Sequence, residues 1–338
     1  CCSAGSRGWR GGGGRCEADA VRVLVTGGAG FIGSHLAARL AAEGHAVRVL
    51  DNFATGRRSN IAAIGGEIDL VEGDIQSYER AHNAVRGCDI VFHQAALPSV
   101  PRSIQDPLTS NATNVIGTLN ILLAARDEAV RRVVCASSSS VYGANPQLPK
   151  HEDMAALPIS PYATAKLASE GYCRSFGVGY GLETVALRYF NVFGARQDPT
   201  SQYAAVVPNF ITALLGNRPV TIFGDGEQSR DFTHVDNIVQ ANLLAMDAPD
   251  VTGKVFNVAC GRKVTLNELV ATLQELIGSE AETVYAPERA GDVPHSLASL
   301  ARARSELGYE PEVGLREGLT RTIAHYRAQR ASVALPVA

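Results

Sequence analysis

Val21-Arg22-Val23-Leu24-Val25-Thr26-Gly27-Gly28-Ala29-Gly30-Phe31-Ile32-Gly33 is the stretch that decides the fold. Its first six residues are mostly apolar and β-branched, as a strand buried in a parallel sheet is. Glycines at 27, 30 and 33 follow at once. A helix is then expected to about Glu43, with Leu36, Ala37 and Leu40 on one face and Gly44 ending it. A second strand over residues 46–50 closes on Asp51. Glycines so placed permit a tight turn, close approach of backbone to a pyrophosphate, and close packing of helix on strand. The helix N-terminus then faces the phosphates. Asp51 can accept from an adenosine ribose and would repel a 2′-phosphate, which favours NAD over NADP. Arg57 and Arg58 follow closely. They offer a phosphate site as the opposing reading, and a solvated loop as the simpler one.

Downstream, strands and helices keep alternating. Residues 68–71 read as a strand leading to Asp74 and Ile75, and Ser77 caps a helix to Val85. Residues 89–93 form a strand opening into Gln94-Ala95-Ala96. One long helix, about 106–128, carries Asn114. The strand at 132–136 ends in Ser137-Ser138-Ser139-Ser140, and the one at 183–190 ends at Asn191. The fold class is therefore α/β, a doubly wound parallel sheet of the Rossmann kind, with ligands at the carboxyl ends of its strands. Beyond Gln202 the alternation loosens into a smaller C-terminal α/β lobe. Helices are expected at 207–215, 235–248, 265–277 and 315–330, with strands at 220–223 and 255–258. The domains are read as 21–190 for the dinucleotide and 191–330 mainly for the second lobe, with the chain crossing between them.

Composition bounds the function. The 338 residues carry a net charge of −3, which argues against a general nucleic-acid binder. No apolar run reaches the roughly 20 residues of a membrane span. Seven cysteines are irregularly spaced. Cys88, Cys135 and Cys260 lie in or beside apolar runs, as reduced core thiols do, which implies a reducing, cytoplasmic setting. No Cys and His pairing has zinc spacing, so no metal is expected. Residues 1–20 lack an apolar signal core and are read as a disordered tail or an artefact.

Ser160-Pro161-Tyr162-Ala163-Thr164-Ala165-Lys166 carries the chemistry. Ser160 is a cap and Pro161 a first helical residue. Tyr162 and Lys166 then leave one turn apart on the same face. A cation beside a phenol stabilises the phenolate and makes it a general base. The same spacing also fits a solvated helix face. His93, His234 and His295 read as hydrogen-bonded structural residues.

These motifs occur in order with the serine run before Val141-Tyr142-Gly143, with Arg188-Tyr189-Phe190-Asn191-Val192-Phe193-Gly194, with Ser229-Arg230-Asp231-Phe232 and with Arg289-Ala290-Gly291-Asp292. Together they resemble the extended short-chain dehydrogenase/reductases, and more narrowly the nucleotide-sugar 4-epimerases. The resemblance implies Tyr162 as base, Lys166 on the nicotinamide ribose and Ser138 on the sugar hydroxyl. It implies that Gly27, Gly30, Phe31, Ile32, Gly33, Asp51, Asn52, Asp74, Ile75, Gln94, Ala95, Ala96, Asn114 and Tyr189 attend the NAD. Ser139, Ser140, Asn191, Val206, Arg230, Arg289, Asp292 and Ser296 would attend a UDP-sugar. Arg230 and Arg289 suit a diphosphate, which needs forked cationic donors. Surface pairing with Asp231 or Asp292 is the alternative.

The serine run bears on the reaction. Related dehydratases place Asp-Glu before the Val-Tyr-Gly, and related decarboxylases a Glu; Ser139 and Ser140 cannot act as acids. Plain epimerisation at C4 through a 4-keto sugar is left. Ser296 stands where epimerases that exclude N-acetyl sugars carry a tyrosine. Residues 197–208 are similar to those of epimerases preferring UDP-GlcNAc and UDP-GalNAc. That pair is favoured, with UDP-Glc and UDP-Gal second and UDP-glucuronate open. A dehydratase or reductase, or a non-catalytic NAD-binding regulator, is the reading from another class. The intact Ser138, Tyr162 and Lys166 weigh against the regulator. The helix before Glu128 and the one carrying Tyr162 resemble those that pair two copies of such enzymes, so a homodimer is expected.

Overall fold

The computed structural model describes residues 20–199, 205–288 and 294–334, with side chains to residue 331. The stretch expected to be a tail or an artefact lies, up to residue 19, outside the described residues.

Seven strands form the main sheet: β1 (Arg22–Thr26), β2 (Ala46–Asp51), β3 (Ile68–Glu72), β4 (Ile90–His93), β5 (Arg132–Ser138), β6 (Glu183–Tyr189) and β7 (Lys254–Val258). Their order is β7-β6-β5-β4-β1-β2-β3, and every neighbouring pair is parallel. The order reverses between β1 and β4, so a crevice opens beyond their carboxyl ends. Strand sequence follows position. Central β4 is buried at every residue, whereas edge β3 is half exposed. Along β1, Val23 and Val25 join one apolar layer with Leu36, Leu40, Ile238 and Phe256. Leu24 joins the other, with Val85, Ile121, Leu122 and Phe176. Alternate residues thus fill the two faces.

The helix after β1 spans Phe31–Ala42 and the one after Ser77 spans Tyr78–Val85, with Ser77 Oγ accepting from Arg80 N. The helix at Ser160 runs Pro161–Tyr180. Gly177 does not stop it because the helix packs closely there: a Cβ would sit 2.8 Å from Thr252 Cγ2. The left-handed Gly181 (φ 70°) ends it instead. The long helix of 106–128 is not uniform. It comprises Pro107–Asn111, a π turn over Ala112–Ile116, and Gly117–Asp127. At the π turn the Asn114 carbonyl is taken by Thr118 Oγ1 (2.7 Å) and Ser169 Oγ (3.1 Å). A separate short helix, Val100–Gln105, precedes it, capped by Ser99.

After β6 the chain makes a third apolar cluster around Phe193, Phe210, Ile222, Leu269 and Leu319. The Val206–Leu215 and Leu266–Ile277 helices and the Val220–Phe223 strand contribute to it. Thr265 and Glu268 form a capping box on the second of these helices. Between them, the Val235–Asp247 helix and β7 return to the main sheet. Among the described residues no helix is long and apolar enough to cross a membrane.

Candidate active site

A cleft of about 390 Å³ opens at the carboxyl ends of the sheet. Every residue named for the cofactor lines it except Asn114. Gly27 holds φ +67°, and a Cβ there would lie 2.8 Å from the Ala95 Cα and N. A Cβ on Gly33 would drive into the Gly27 carbonyl. The turn is a cradle that only bare backbone fits. Gly30 caps the following helix without a side-chain acceptor, so its first N–H groups suit a phosphate. Asp51 is buried; its Oδ2 accepts from Ala29 N (2.9 Å) and its Oδ1 from Phe53 N (2.8 Å). Burial pushes its carboxyl above the ordinary range, against those two bonds. A carboxylate has about four acceptor positions, so capacity remains for ribose hydroxyls. Asn52 Nδ2 donates to Asp74 Oδ2 at 2.8 Å. Arg57 pairs with Asp198 (2.7 Å), and Arg58 pairs with Glu72 and covers the Phe53 ring. Both arginines stand ion-paired, Arg57 as the cap and Arg58 as the first residue of a short helix, Arg58–Ala62. These residues fit NAD.

Tyr162 and Lys166 line the same cleft and are 8% and 5% exposed. Ser160 Oγ accepts from Ala163 N, which sets the helix start. Ser103 Oγ accepts from Tyr162 N (3.1 Å). Lys166 Nζ donates to the Ala136 carbonyl (2.8 Å). Of the serine run, Ser137 lines the cleft. Ser138 ends β5 beside Tyr189, and its Oγ donates to Ser140 Oγ at 3.0 Å. Ser139 and Ser140 begin a 3-10 turn. Ser137 Oγ donates to Glu170, which holds Arg188 in a fork of 2.8 and 2.7 Å. Burial opposes the Arg188 charge, but Glu170 more than offsets it and raises the pKa.

Asn114 stands behind the cleft wall. Its side chain accepts from Leu97 N (2.8 Å) and donates to Leu97 O (3.2 Å), so it holds a lining residue. His93 is enclosed between Thr26 Oγ1 (2.8 Å) and Thr118 Oγ1 (3.0 Å). Thr118 donates onward to Asn114 O, so the network assigns the proton to His93 Nε2. Burial, with the Lys166 charge adding to it, holds His93 down at about 3. His93 is a neutral structural link, as its strand-end position implied. Arg102, Gln76 and Thr113 also line the cleft and were missed. Ser99 before Pro101 is the capping signal that locates the Arg102 helix.

A second cavity, about 470 Å³, gathers Asn191, Val206 and Arg230. Phe210, Gln228 and Leu266, not anticipated, join them. Arg230 Nη1 donates to Ser229 O (3.0 Å) and Pro294 O (3.2 Å). Asp231 is no surface partner for it, being fully buried. Ser296 N donates to Ser229 O (3.0 Å), which lays the Ser296 segment beside the Arg230 strand. His295 Nδ1 pairs with Ser229 Oγ (2.9 Å) and His234 caps the helix that begins at Val235. Arg289 and Asp292 lie outside the described residues.

The NAD dependent epimerase/dehydratase family matches residues 23–259. A UDP-glucose 4-epimerase of Mycolicibacterium smegmatis is 40% identical over 311 residues, covering 91% of this chain and 99% of its own. The solved UDP-N-acetylglucosamine 4-epimerase of Methanobrevibacter ruminantium M1, in complex with UDP-N-acetylmuramic acid, is 39% identical with a TM-score of 0.88. The match covers 92% of this chain and all of that one. The UDP-glucose 4-epimerase of Thermotoga maritima, solved with UDP-glucose, is 40% identical with a TM-score of 0.87, covering 91% and 99%. With its glycine cradle, its Asp51 and the Tyr162–Lys166 pair in one cleft, the chain belongs to the NAD-dependent epimerase/dehydratase family of enzymes.

Proposed function

We propose that the protein inverts C4 of a UDP-hexose. The observation that carries this is the placement of Tyr162 and Lys166 in the same cleft as the dinucleotide cradle. The nearby cavity with Asn191, Val206 and Arg230 supports a nucleotide-sugar site. Tyr162 takes the proton of the C4 hydroxyl and later returns it. Lys166 holds the nicotinamide ribose and stabilises the phenolate electrostatically. Ser138 holds the reacting hydroxyl. NAD, held by the glycine cradle and Asp51, would supply the hydride acceptor and donor that inversion at C4 needs. The redox balance is zero, so cofactor stays between turnovers. Arg230 and the unplaced Arg289 and Asp292 attend the diphosphate and sugar.

UDP-GlcNAc and UDP-GalNAc are the favoured pair, with UDP-Glc and UDP-Gal second. The small Ser296 supports this choice. A homodimer is supported by the exposed apolar Ile104, Leu108, Ile116 and Ile159, the last of which lines a groove with Val115 and Ala168. The buried free thiols of Cys88, Cys135 and Cys173 fit a reducing cytoplasm. The test is incubation with UDP-GlcNAc, UDP-Glc and UDP-GlcA separately, with epimers resolved. Conversion of the first two is expected. No conversion of any refutes the proposal, and conversion of the glucuronate alone refutes the substrate choice.

A further inference from the structure

Asp231 follows Arg230 in sequence, is fully buried, and meets donors from two distant segments. Its Oδ1 accepts from Cys260 N (3.0 Å) and its Oδ2 from Gly261 N (3.0 Å) and Ala298 N (3.2 Å). Cys260 and Gly261 lie just past the carboxyl end of β7 in the cofactor sheet. Ala298 closes the segment that carries Ser296 and is tied to Ser229 through Pro294 and Ser296. One side chain therefore joins three backbones: the Arg230 strand, the Ser296 segment and the end of the sheet.

We propose that Asp231 is a positioning residue for the nucleotide-sugar, fixing Arg230 and the Ser296 segment relative to the cofactor sheet. The inference rests on the proposed substrate site and deepens it. Converging donors require two acceptor oxygens, which a carboxylate has and a carboxamide has not. A charge buried to this depth is costly unless such bonds hold it. Burial pushes this carboxyl up to about 6, against the backbone bonds, so the acceptor pair is complete only above that pH. The titratable and charged groups around it are Cys260, Tyr309, Arg230, Arg262, His234 and His295, and the Arg262 backbone also hydrogen-bonds to it. Burial pushes the Cys260 thiol up to about 11 and the Tyr309 phenol higher still, so neither titrates there.

The test is calorimetric titration of UDP-GlcNAc and UDP-glucose into the NAD-loaded Tyr162→Phe protein, with and without Asp231→Asn. Their diphosphate diesters carry no proton in the range tested. In the parent, binding should weaken as pH falls through about 6. Asp231→Asn should bind about tenfold more weakly above that pH, without the inflection and with its NAD retained. Equal binding by both proteins overturns the inference alone. NAD lost in proportion to sugar binding also overturns it, since the residue would then be merely structural. No binding of either sugar to the parent overturns the substrate site and the inference with it. Should Asp231→Asn fail to fold, the parent's titration decides: a flat pH profile overturns the proposal.

Discussion

Lys166 Nζ lies 2.8 Å from the carbonyl oxygen of Ala136, so the ammonium is pinned near the carboxyl end of strand β5 rather than left to solvent. Ala136 itself lines the cleft. The helix thus presents Tyr162 to the cleft while the sheet fixes its cation. Tyr162→Phe should lower turnover about 10²–10⁴-fold with NAD still bound, the range for a lost acid–base group. Lys166→Met should lower turnover and also release NAD. Resolved epimers and the cofactor content of the purified protein measure both, and substantial turnover by Tyr162→Phe refutes the base assignment.

Among the groups that bear on acid stability, His93 and Asp231 act in opposite directions. His93 stays neutral to about 3, so below about pH 6.5 the unfolded chain binds a proton that the folded chain refuses. Its contribution, full above that pH, is lost at about 1.4 kcal/mol per pH unit as acid is added. Asp231 is raised to about 6, so its contribution is full below about pH 3.9 and is lost as pH rises through 6. Between those limits the two nearly cancel. Relative to the parent, His93→Gln should become more stable on acidification below about pH 6.5, and Asp231→Asn less so below about 6. Urea midpoints across that range check the signs.

Glu170 and Arg188 form a buried fork, 6% and 4% exposed, beneath Ser137. Removing one partner strands a charge. Arg188→Met should cost about 3–5 kcal/mol, and adding Glu170→Leu should recover most of it. Chemical denaturation decides, and equal stability of the single and double variants refutes the account.

Gly33→Ala puts a methyl into the Gly27 carbonyl, and backbone must move to admit it. The purified variant should carry little NAD and show little turnover. Full cofactor content would refute the cradle.

Ser296→Tyr fills the space claimed for the acetamido group. Conversion of UDP-GlcNAc should fall at least tenfold relative to UDP-glucose, the scale on which a pocket rejects excess bulk. Unchanged relative rates would remove Ser296 from substrate selection.

What the sequence disclosed was local. The β1 turn, Asp51 and the Tyr162–Lys166 pair each announce themselves within a few residues, and the structure joins them at one cleft. Gly177 lies inside the Ser160 helix, where it packs closely against Thr252, a contact that no local pattern reveals. The Val100–Gln105 helix is one and a half turns, too short for a period, though Ser99 and Pro101 mark its start. Asp231 reads locally as a partner for the arginine beside it. Its true donors stand 29, 30 and 67 residues away, beyond any spacing rule. Ser296 was legible only by resemblance.

β7 pairs with β6 across a large gap in sequence, Lys254 against Val185 and Val258 against Tyr189. The open edge of β6 must therefore wait, during synthesis, until the chain has been made past residue 258. Such distant pairing is slow to form, and an unpaired edge invites association with other chains. A fragment ending near residue 190 would expose that edge permanently, so the cofactor half should not be obtainable as a well-behaved separate piece.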